Sequence, residues 1–232
     1  MYKRQAKADI VESLIFALEN ELDWRVRQEI CWALGKIKDQ TAIFALREQA
    51  VKDPSASVRK SAIWAMAEID PDEAKKLAEA LLPLETKDQV KKELIWILAK
   101  TGDFESLAQL YSVLPHEKGE IQRLIVWAIG KISAPQSWTI LEKTIQSKKI
   151  PQKAKEEAIW ALAKWAPAKN VVKLLPLLKK RGLSIDTKKM IIWALAQRGT
   201  RAVLKKLSRL KIKNPILKEE IAWAKRQIEL GE

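Results

Sequence analysis

Seven tryptophans recur along the chain at nearly equal intervals, and their indoles are its most distinctive side chains. The gaps between them are 32, 32, 31, 33, 33 and 30 residues. An indole can stack on a nucleic-acid base, lie over a cation, or anchor a protein partner. The regular spacing therefore points first to binding chemistry. The seven residues are Trp32, Trp64, Trp96, Trp127, Trp160, Trp193 and Trp223.

Side chains that perform catalysis or hold metals are scarce. One histidine, His116, and one cysteine, Cys31, can build neither a zinc site nor an iron site of several His-Glu pairs. The sequence has no glycine-rich phosphate loop and no Ser/His/Asp set. Adjacent carboxylates such as Glu156 and Glu157 are interpreted as solvated charge. We therefore predict a chain that is not an enzyme, with no cofactor and no metal.

Each tryptophan lies in an apolar motif, such as CWALGKI at 31–37 and VWAIGKI at 126–132. A fixed period in the range of roughly 20–50 residues is typical of a solenoid. Breaks such as KDPSA at 52–56 divide each unit into two helices, and about fourteen helices are expected. We predict a single all-α domain over 1–232, a right-handed α-solenoid of about seven two-helix repeats. The units are approximately 1–38, 39–70, 71–102, 103–133, 134–166, 167–199 and 200–232.

The position of the indole on its helix follows from a rotation of about 100° per residue. Positions −6, −2, −1, +1 and +2 from the tryptophan are apolar except for Thr187 at −6 and Lys225 at +2, and they form an arc opposite the indole. The seven indoles are therefore predicted to face solvent, beside cationic side chains. Trp24 is expected to extend this row, whereas Trp138 and Trp165 are expected in the core. The cations are Lys92, Lys100, Arg123, Lys131, Lys164 and Lys189.

Two further regularities predict packing. The residue five positions before the tryptophan is basic in six of the seven units, as at Arg27 and Arg59. Its side chain is expected to reach a carboxylate or carbonyl of the turn between helices. Gly35 and Gly130 interrupt helical pattern, where glycine costs about 1 kcal/mol against alanine, and this indicates close approach of two helices.

Positive charge is concentrated in the second half of the chain. Residues 1–116 contain 17 basic and 19 acidic residues, and residues 117–232 contain 26 and 10. This asymmetry is compatible either with an anionic partner over the second half or with a solvated, lysine-rich surface. Positions −4, −3 and +4 around the tryptophans carry 8 basic and 7 acidic residues, so the indole-bearing surface itself is nearly neutral. With no apolar run of about 18 residues and no signal-peptide pattern, we expect a cytoplasmic protein without a membrane span.

The pair Val26-Arg27 followed by the motif Ala33-Leu34-Gly35-Lys36-Ile37 resembles HEAT-like repeats of the phycobilisome-lyase type. The resemblance extends along the chain but weakens after about residue 134, where the Val-Arg pair is replaced. It implies a binding scaffold in which the second helices line a concave surface, so that the tryptophans would lie in a groove. Armadillo proteins pair such tryptophans with asparagine four residues later. Here that position holds Lys or Glu in most units, so their peptide binding is not carried over.

Three interpretations of the tryptophan row remain open. The first, which we favour, is a groove for a protein or peptide partner. The second is nucleic-acid binding through the basic C-terminal half and stacking on the indoles. The third is a structural ladder in which each indole lies over a Lys or Arg side chain of the neighbouring unit. A HEAT-like DNA glycosylase that works with tryptophans and one acidic residue is a further alternative.

Overall fold

The computed structural model describes residues 2–230, and the side chains of residues 8–201 and 203–230. This part of the chain forms fourteen α-helices and no strand, as predicted. The chain separates into two compact units, Met1–Val113 and Leu114–Glu232, called here the N-terminal and the C-terminal unit. The prediction of one domain over 1–232 stays a prediction.

The N-terminal unit contains three helix pairs and a further first helix. The second helices of the pairs pack in succession, α2 on α4 and α4 on α6, and they carry Trp32, Trp64 and Trp96. A short 3-10 turn, Gln40–Ala42, precedes α3. The helices are α1 (Tyr2–Asn20), α2 (Trp24–Ile37), α3 (Ile43–Lys52), α4 (Ala56–Ile69), α5 (Pro71–Leu81), α6 (Asp88–Thr101) and α7 (Phe104–Val113).

The C-terminal unit has the same construction. Its second helices α8, α10, α12 and α14 pack in succession and carry the other four motif tryptophans. One first helix is divided into α11 and a 3-10 helix, Val172–Lys179, that contains Pro176. Proline has no N–H to donate to an α-helical bond, which explains the change of winding. The α-helices are α8 (Gly119–Ile132), α9 (Pro135–Gln146), α10 (Gln152–Trp165), α11 (Ala168–Val171), α12 (Ile185–Gln197), α13 (Arg201–Ser208) and α14 (Pro215–Leu230).

Local sequence explains where many helices begin. Asp70 accepts a hydrogen bond from the Glu73 amide at 3.0 Å, and Pro71 occupies the first turn of α5. Ser184 caps α12 in the same way through the amide of Thr187, at 3.0 Å. At α4 the N-cap is Ser55, which makes no side-chain cap bond. The Asp53 carboxylate accepts hydrogen bonds from the Ser55 amide and from Arg27 Nε, both at 2.7 Å.

The core lies on the helix arc predicted to be apolar. The position two residues before the motif tryptophan is buried in all seven repeats, and the position two after it is buried in the first six. Two residues of this arc are exposed: Val26, at position −6 of the first repeat and 42% exposed, and Ala222, at position −1 of the last repeat. The amphipathic pattern of the second helices is therefore what holds each unit together.

Gly35 and Gly130 lie at close helix contacts, as predicted. A Cβ at Gly35 would stand 2.9 Å from the Cα of Ala65 on α4. A Cβ at Gly130 would stand 2.7 Å from the Cβ of Ala161 on α10. Only glycine permits these second helices to approach so closely.

Candidate partner-binding site

The motif tryptophans of α2, α4 and α6 form the tryptophan face of the N-terminal unit. Trp32 is 50% exposed and Trp96 is 56% exposed, as the helix geometry predicted. Trp64 is half-buried. The Lys36 ammonium lies 5.3 Å from the ring centroid of Trp32 and 5.3 Å from that of Trp64. One lysine thus bridges two successive indoles, which is the contact expected of a structural ladder.

The tryptophan face of the C-terminal unit consists of Trp127, Trp160, Trp193 and Trp223, all half-buried. Trp165 packs edge-on against Trp127 and Trp160, with ring centroids 6.3 and 5.3 Å apart. Such edge contacts are favourable beyond simple burial. The prediction that all seven indoles lie on the solvent side therefore holds fully only for Trp32 and Trp96, since the other five are half-buried.

Three further tryptophans, outside the row of seven, differ in how far they are exposed. Trp138 is 5% exposed and belongs to the core, as predicted. Trp165 was also predicted in the core, but it is half-buried and lies under the tryptophan face. Trp24 is 40% exposed, with the Arg25 guanidinium 5.2 Å from its ring centroid.

The predicted cations of the site occupy different surroundings. Lys164 lies 4.5 Å from the centroid of Trp160 and 5.2 Å from that of Trp165. Lys189 is half-buried and its ammonium is 3.1 Å from the carboxylate of Glu220. The other four are exposed or half-buried on the second helices: Lys92, Lys100, Arg123 and Lys131.

Charges on the tryptophan faces are matched across neighbouring helices. Lys189, four residues before Trp193, faces Glu220, three residues before Trp223. Electrostatic pairs at the same two positions join Lys60 to Glu93 and Arg123 to Glu157. The sequence showed only that these surfaces are neutral in sum. The structure adds that each such carboxylate faces a cation of the preceding repeat.

Burial dominates the environment of two of these carboxylates. Burial raises the pKa of Glu93, and the Lys60 ammonium offsets only part of the shift. Burial likewise raises the pKa of Glu157, with partial compensation from Arg123. The surroundings of both groups therefore favour the neutral carboxylic acid over the carboxylate. On the tryptophan faces, burial thus destabilises the charged forms of Glu93 and Glu157.

Two open pockets lie on the tryptophan face of the C-terminal unit. They have volumes of about 520 and 480 Å³ and share Met190, which lies three residues before Trp193. Indole, thioether and charged groups together suit an amphipathic ligand surface. The first pocket is lined by Lys189, Met190, Trp193, Glu219, Glu220, Trp223 and Arg226, and the second by Arg123, Lys153, Glu156, Glu157, Trp160 and Met190. Met190, Lys153 and Arg226 were not among the predicted site residues.

The turns between first and second helices form a separate edge of each unit, called here the turn edge. In the N-terminal unit, Arg27 Nε donates to Asp53 Oδ2 at 2.7 Å and its Nη1 donates to the carbonyl of Leu22 at 2.9 Å. Arg59 Nη2 donates to Glu85 Oε1 at 3.0 Å. The prediction for these basic residues is confirmed at both positions.

The ionisable groups of these pairs respond to their contacts. The hydrogen bond to Asp53 raises the pKa of Arg27. Burial alone would raise the pKa of Glu85, but hydrogen bonds from Arg59 and from the amides of Lys87 and Thr86 outweigh it and lower that pKa. These contacts therefore stabilise the charged forms of Arg27 and Glu85.

The thiol of Cys31 is buried and forms no disulfide. Burial raises the pKa of the Cys31 thiol to about 12, so this thiol is protonated at neutral pH. No group of three or more His, Cys, Asp or Glu side chains within the described ranges is placed to hold a metal ion. Between residues 2 and 230, no helix has both the length and the apolar character needed to cross a membrane.

Solved structures with a similar fold extend along nearly all of the chain. The X-ray structure of YibA from E. coli matches with a TM-score of 0.58 and 19% identity, over 95% of this chain and 82% of that one. Human deoxyhypusine hydroxylase in complex with glycerol matches with a TM-score of 0.45 and 15% identity, over 95% and 84%. The complex of CpcE and CpcF of phycocyanin lyase from Nostoc sp. PCC7120 matches with a TM-score of 0.45 and 16% identity, over 96% and 85%. No curated protein matches the sequence.

These structures correct one prediction. The scarcity of catalytic side chains led to the prediction that the chain is not an enzyme, and that prediction is wrong. Deoxyhypusine hydroxylase is an enzyme, and it is among the structures that match. A fold of this kind supports more than one class of function, so the fold gives no ground for placing the chain outside enzymes.

The sequence matches a family model over the first five of the seven repeats. The model for HEAT repeats matches residues 11–92 and 75–163, which together make up more than half of the 232 residues. The resemblance stated from Val26-Arg27 and its following motif is thereby confirmed, and the fold is that of an α-solenoid. The chain belongs to the HEAT repeat family.

Proposed function

We propose that the chain is a binding scaffold whose tryptophan faces bind a protein or peptide partner. The observation that carries the proposal is the exposure of Trp32 and Trp96, at 50% and 56%, on helices whose opposite sides supply the core. Packing gives an amphipathic helix no reason to place its largest apolar side chain toward solvent. Tryptophan is also strongly enriched among residues that dominate binding energy.

Charge and shape support the same proposal. The cations and carboxylates of the tryptophan faces pair with one another, as at Lys189 and Glu220, so the surface has little net charge to attract a polyanion. The two pockets of the C-terminal unit combine indoles with charged side chains, as the core and rim of a protein interface do. An extended peptide or a partner helix with apolar anchors matches this chemistry.

Base stacking on the indoles, the second interpretation, needs open ring faces. Lys36 lies close to the rings of Trp32 and Trp64, and Lys164 close to that of Trp160. A base that stacks on the ring face next to the lysine would have to displace it. The tryptophan faces therefore favour a protein ligand over a stacked nucleic acid.

The experiment is a selection of binding peptides from a random display library, followed by affinity measurement on variants. Trp32→Ala combined with Trp96→Ala should weaken the selected peptides at least tenfold, which corresponds to about 1.4 kcal/mol. The matched control is Phe44→Ala with Phe104→Ala, since these aromatic side chains are 73% and 60% exposed on first helices. Equal losses in both variants, or affinity unchanged in the tryptophan variant, would overturn the proposal.

A further inference from the structure

The turn edge of the C-terminal unit has the opposite charge from that of the N-terminal unit. The N-terminal turns at 21–23, 53–55 and 82–87 contain one cation, Lys87, and four carboxylates, Glu21, Asp23, Asp53 and Glu85. The turns at 147–151, 180–184 and 209–214 of the C-terminal unit contain no acidic residue. They contain seven cations: Lys148, Lys149, Lys180, Arg181, Arg209, Lys211 and Lys213. All seven are exposed.

The basic residue five positions before the motif tryptophan meets one environment at Arg27 and Arg59 and a different one at Lys155. In the N-terminal unit, Arg27 and Arg59 are paired with turn carboxylates at 2.7 and 3.0 Å. In the C-terminal unit, the equivalent Lys155 is half-buried in α10 and is acted on by Lys180 of the next turn. Among the described residues, Lys155 has no ion pair with a carboxylate.

The surroundings of Lys155 disfavour its positive charge. Burial lowers the pKa of Lys155, and repulsion from Lys180 lowers it further. The Lys180 ammonium donates to Gln146 Oε1 at 3.0 Å, a neutral acceptor that leaves the positive charge uncompensated. A bound anion would lower the energy of both ammonium groups.

The cations also have a regular arrangement. Second helices α10, α12 and α14 pack in succession, and packed helices lie about 8–10 Å apart. The three turns that precede them therefore repeat along the unit, each with two or three cations. A linear polyanion fits such a row better than a single small anion does.

From this row we infer that the turn edge of the C-terminal unit binds the phosphate backbone of a nucleic acid, through the turns at 147–151, 180–184 and 209–214. This site is distinct from the tryptophan faces and does not depend on the proposed function. Its chemistry is contact with phosphate oxygens and release of counterions, so binding has no requirement for base sequence.

The test is titration of a mixed-sequence single-stranded oligonucleotide of about twenty nucleotides, at several salt concentrations. Lys180→Gln with Arg181→Gln should weaken binding and reduce the slope of log K against log salt by about 1.4, since each single-strand contact contributes about 0.7. The control, Lys169→Gln with Lys225→Gln, removes the same charge away from the turns, early in α11 and in the second half of α14. Its slope should match that of the wild type.

Several outcomes would overturn the inference. One is an equal loss of oligonucleotide affinity in the control variant, which would show that binding depends only on net charge. Another is that the wild type does not bind the oligonucleotide. Quenching of tryptophan emission on binding would place the strand on a tryptophan face instead. Binding to anionic phospholipid vesicles without binding to the oligonucleotide would identify the edge as a membrane contact.

A second variant tests the arrangement of Lys155 independently of any ligand. Lys180→Glu replaces a repelling ammonium by a carboxylate, the kind of group that pairs with Arg27 and Arg59 in the N-terminal unit. The melting temperature should rise above that of Lys180→Gln, while the oligonucleotide binds more weakly still. A lower melting temperature would show that Lys155 and Lys180 do not interact as inferred.

Discussion

Arg27 Nε and Asp53 Oδ2 lie 2.7 Å apart and join the first repeat to the turn of the second. The side chains of the two residues are 12% and 2% exposed, so the ion pair is largely removed from water. Asp53 Oδ1 also accepts the amide of Ser55 at 2.7 Å. The Asp53 carboxylate thus holds Arg27 of α2 and also the backbone at the start of α4.

Asp53→Ala should lower the free energy of unfolding by about 3 kcal/mol, because it leaves the Arg27 guanidinium without its buried partner. Urea denaturation measures the change. Glu48→Ala is the control, since Glu48 pairs with Lys52 on an exposed helix surface and such pairs contribute little. Equal effects of the two substitutions would contradict the role assigned to the turn edge of the N-terminal unit.

Glu157→Gln should stabilise the protein at pH 7. Burial raises the pKa of Glu157, so its ionised form is disfavoured in the folded state, and glutamine removes that cost. The advantage should shrink as the pH falls through the raised folded pKa and vanish below about 4.3, where the unfolded carboxyl is also protonated. Thermal melts across this range, expected to differ by a few degrees at pH 7, measure it.

Glu156→Gln is the matched control for that prediction. Its carboxylate accepts a hydrogen bond from Gln152 Nε2 at 2.8 Å, which glutamine can retain. A gain at pH 7 as large as that of Glu157→Gln would show that burial of Glu157 is not the cause.

Gly35→Ala should destabilise the protein by about 1–3 kcal/mol, although alanine is the better helix former. The added Cβ would stand 2.9 Å from the backbone Cα of Ala65, so the helices α2 and α4 must separate. Thermal denaturation compares it with Ser61→Ala, a substitution within helix α4 that adds no volume. A more stable Gly35→Ala protein would contradict the close packing of these two helices.

The indoles should separate into two groups by their contribution to stability. Trp160→Ala should lower the melting temperature, because its ring contacts Trp165 and lies under Lys164. Trp96→Ala should change it little, since the side chain is 56% exposed. Calorimetry of the two variants tests this, and a large loss for Trp96→Ala would favour a purely structural ladder.

The sequence predicted the features that recur with a fixed period along the chain. The 32- and 33-residue spacing, the apolar arc opposite Trp32 and Trp96, and the reach of Arg27 and Arg59 all follow from periods along the chain. The glycines at 35 and 130 also correctly predicted close helix packing, because glycine inside a helix usually marks a close contact.

The features that were missed depend on how one helix is offset against the next. Trp165 covers Trp127 and Trp160, and Lys189 meets Glu220, only because neighbouring second helices stand in a particular register. Residue spacing within a single helix does not contain that register. The change to a 3-10 helix before Lys180 did have a sequence signal, the proline at 176 inside an apolar run.

Quenching of tryptophan emission by acrylamide, with and without a saturating selected peptide, tests the proposed function most directly. Trp32 and Trp96 are the most exposed of the tryptophans, at 50% and 56%, so acrylamide should reach their indoles most readily. Bound peptide should protect them and reduce quenching in the wild type. The variant Trp32→Ala with Trp96→Ala should show no such protection. Peptide binding that leaves quenching of the wild type unchanged would contradict a partner site on the tryptophan faces.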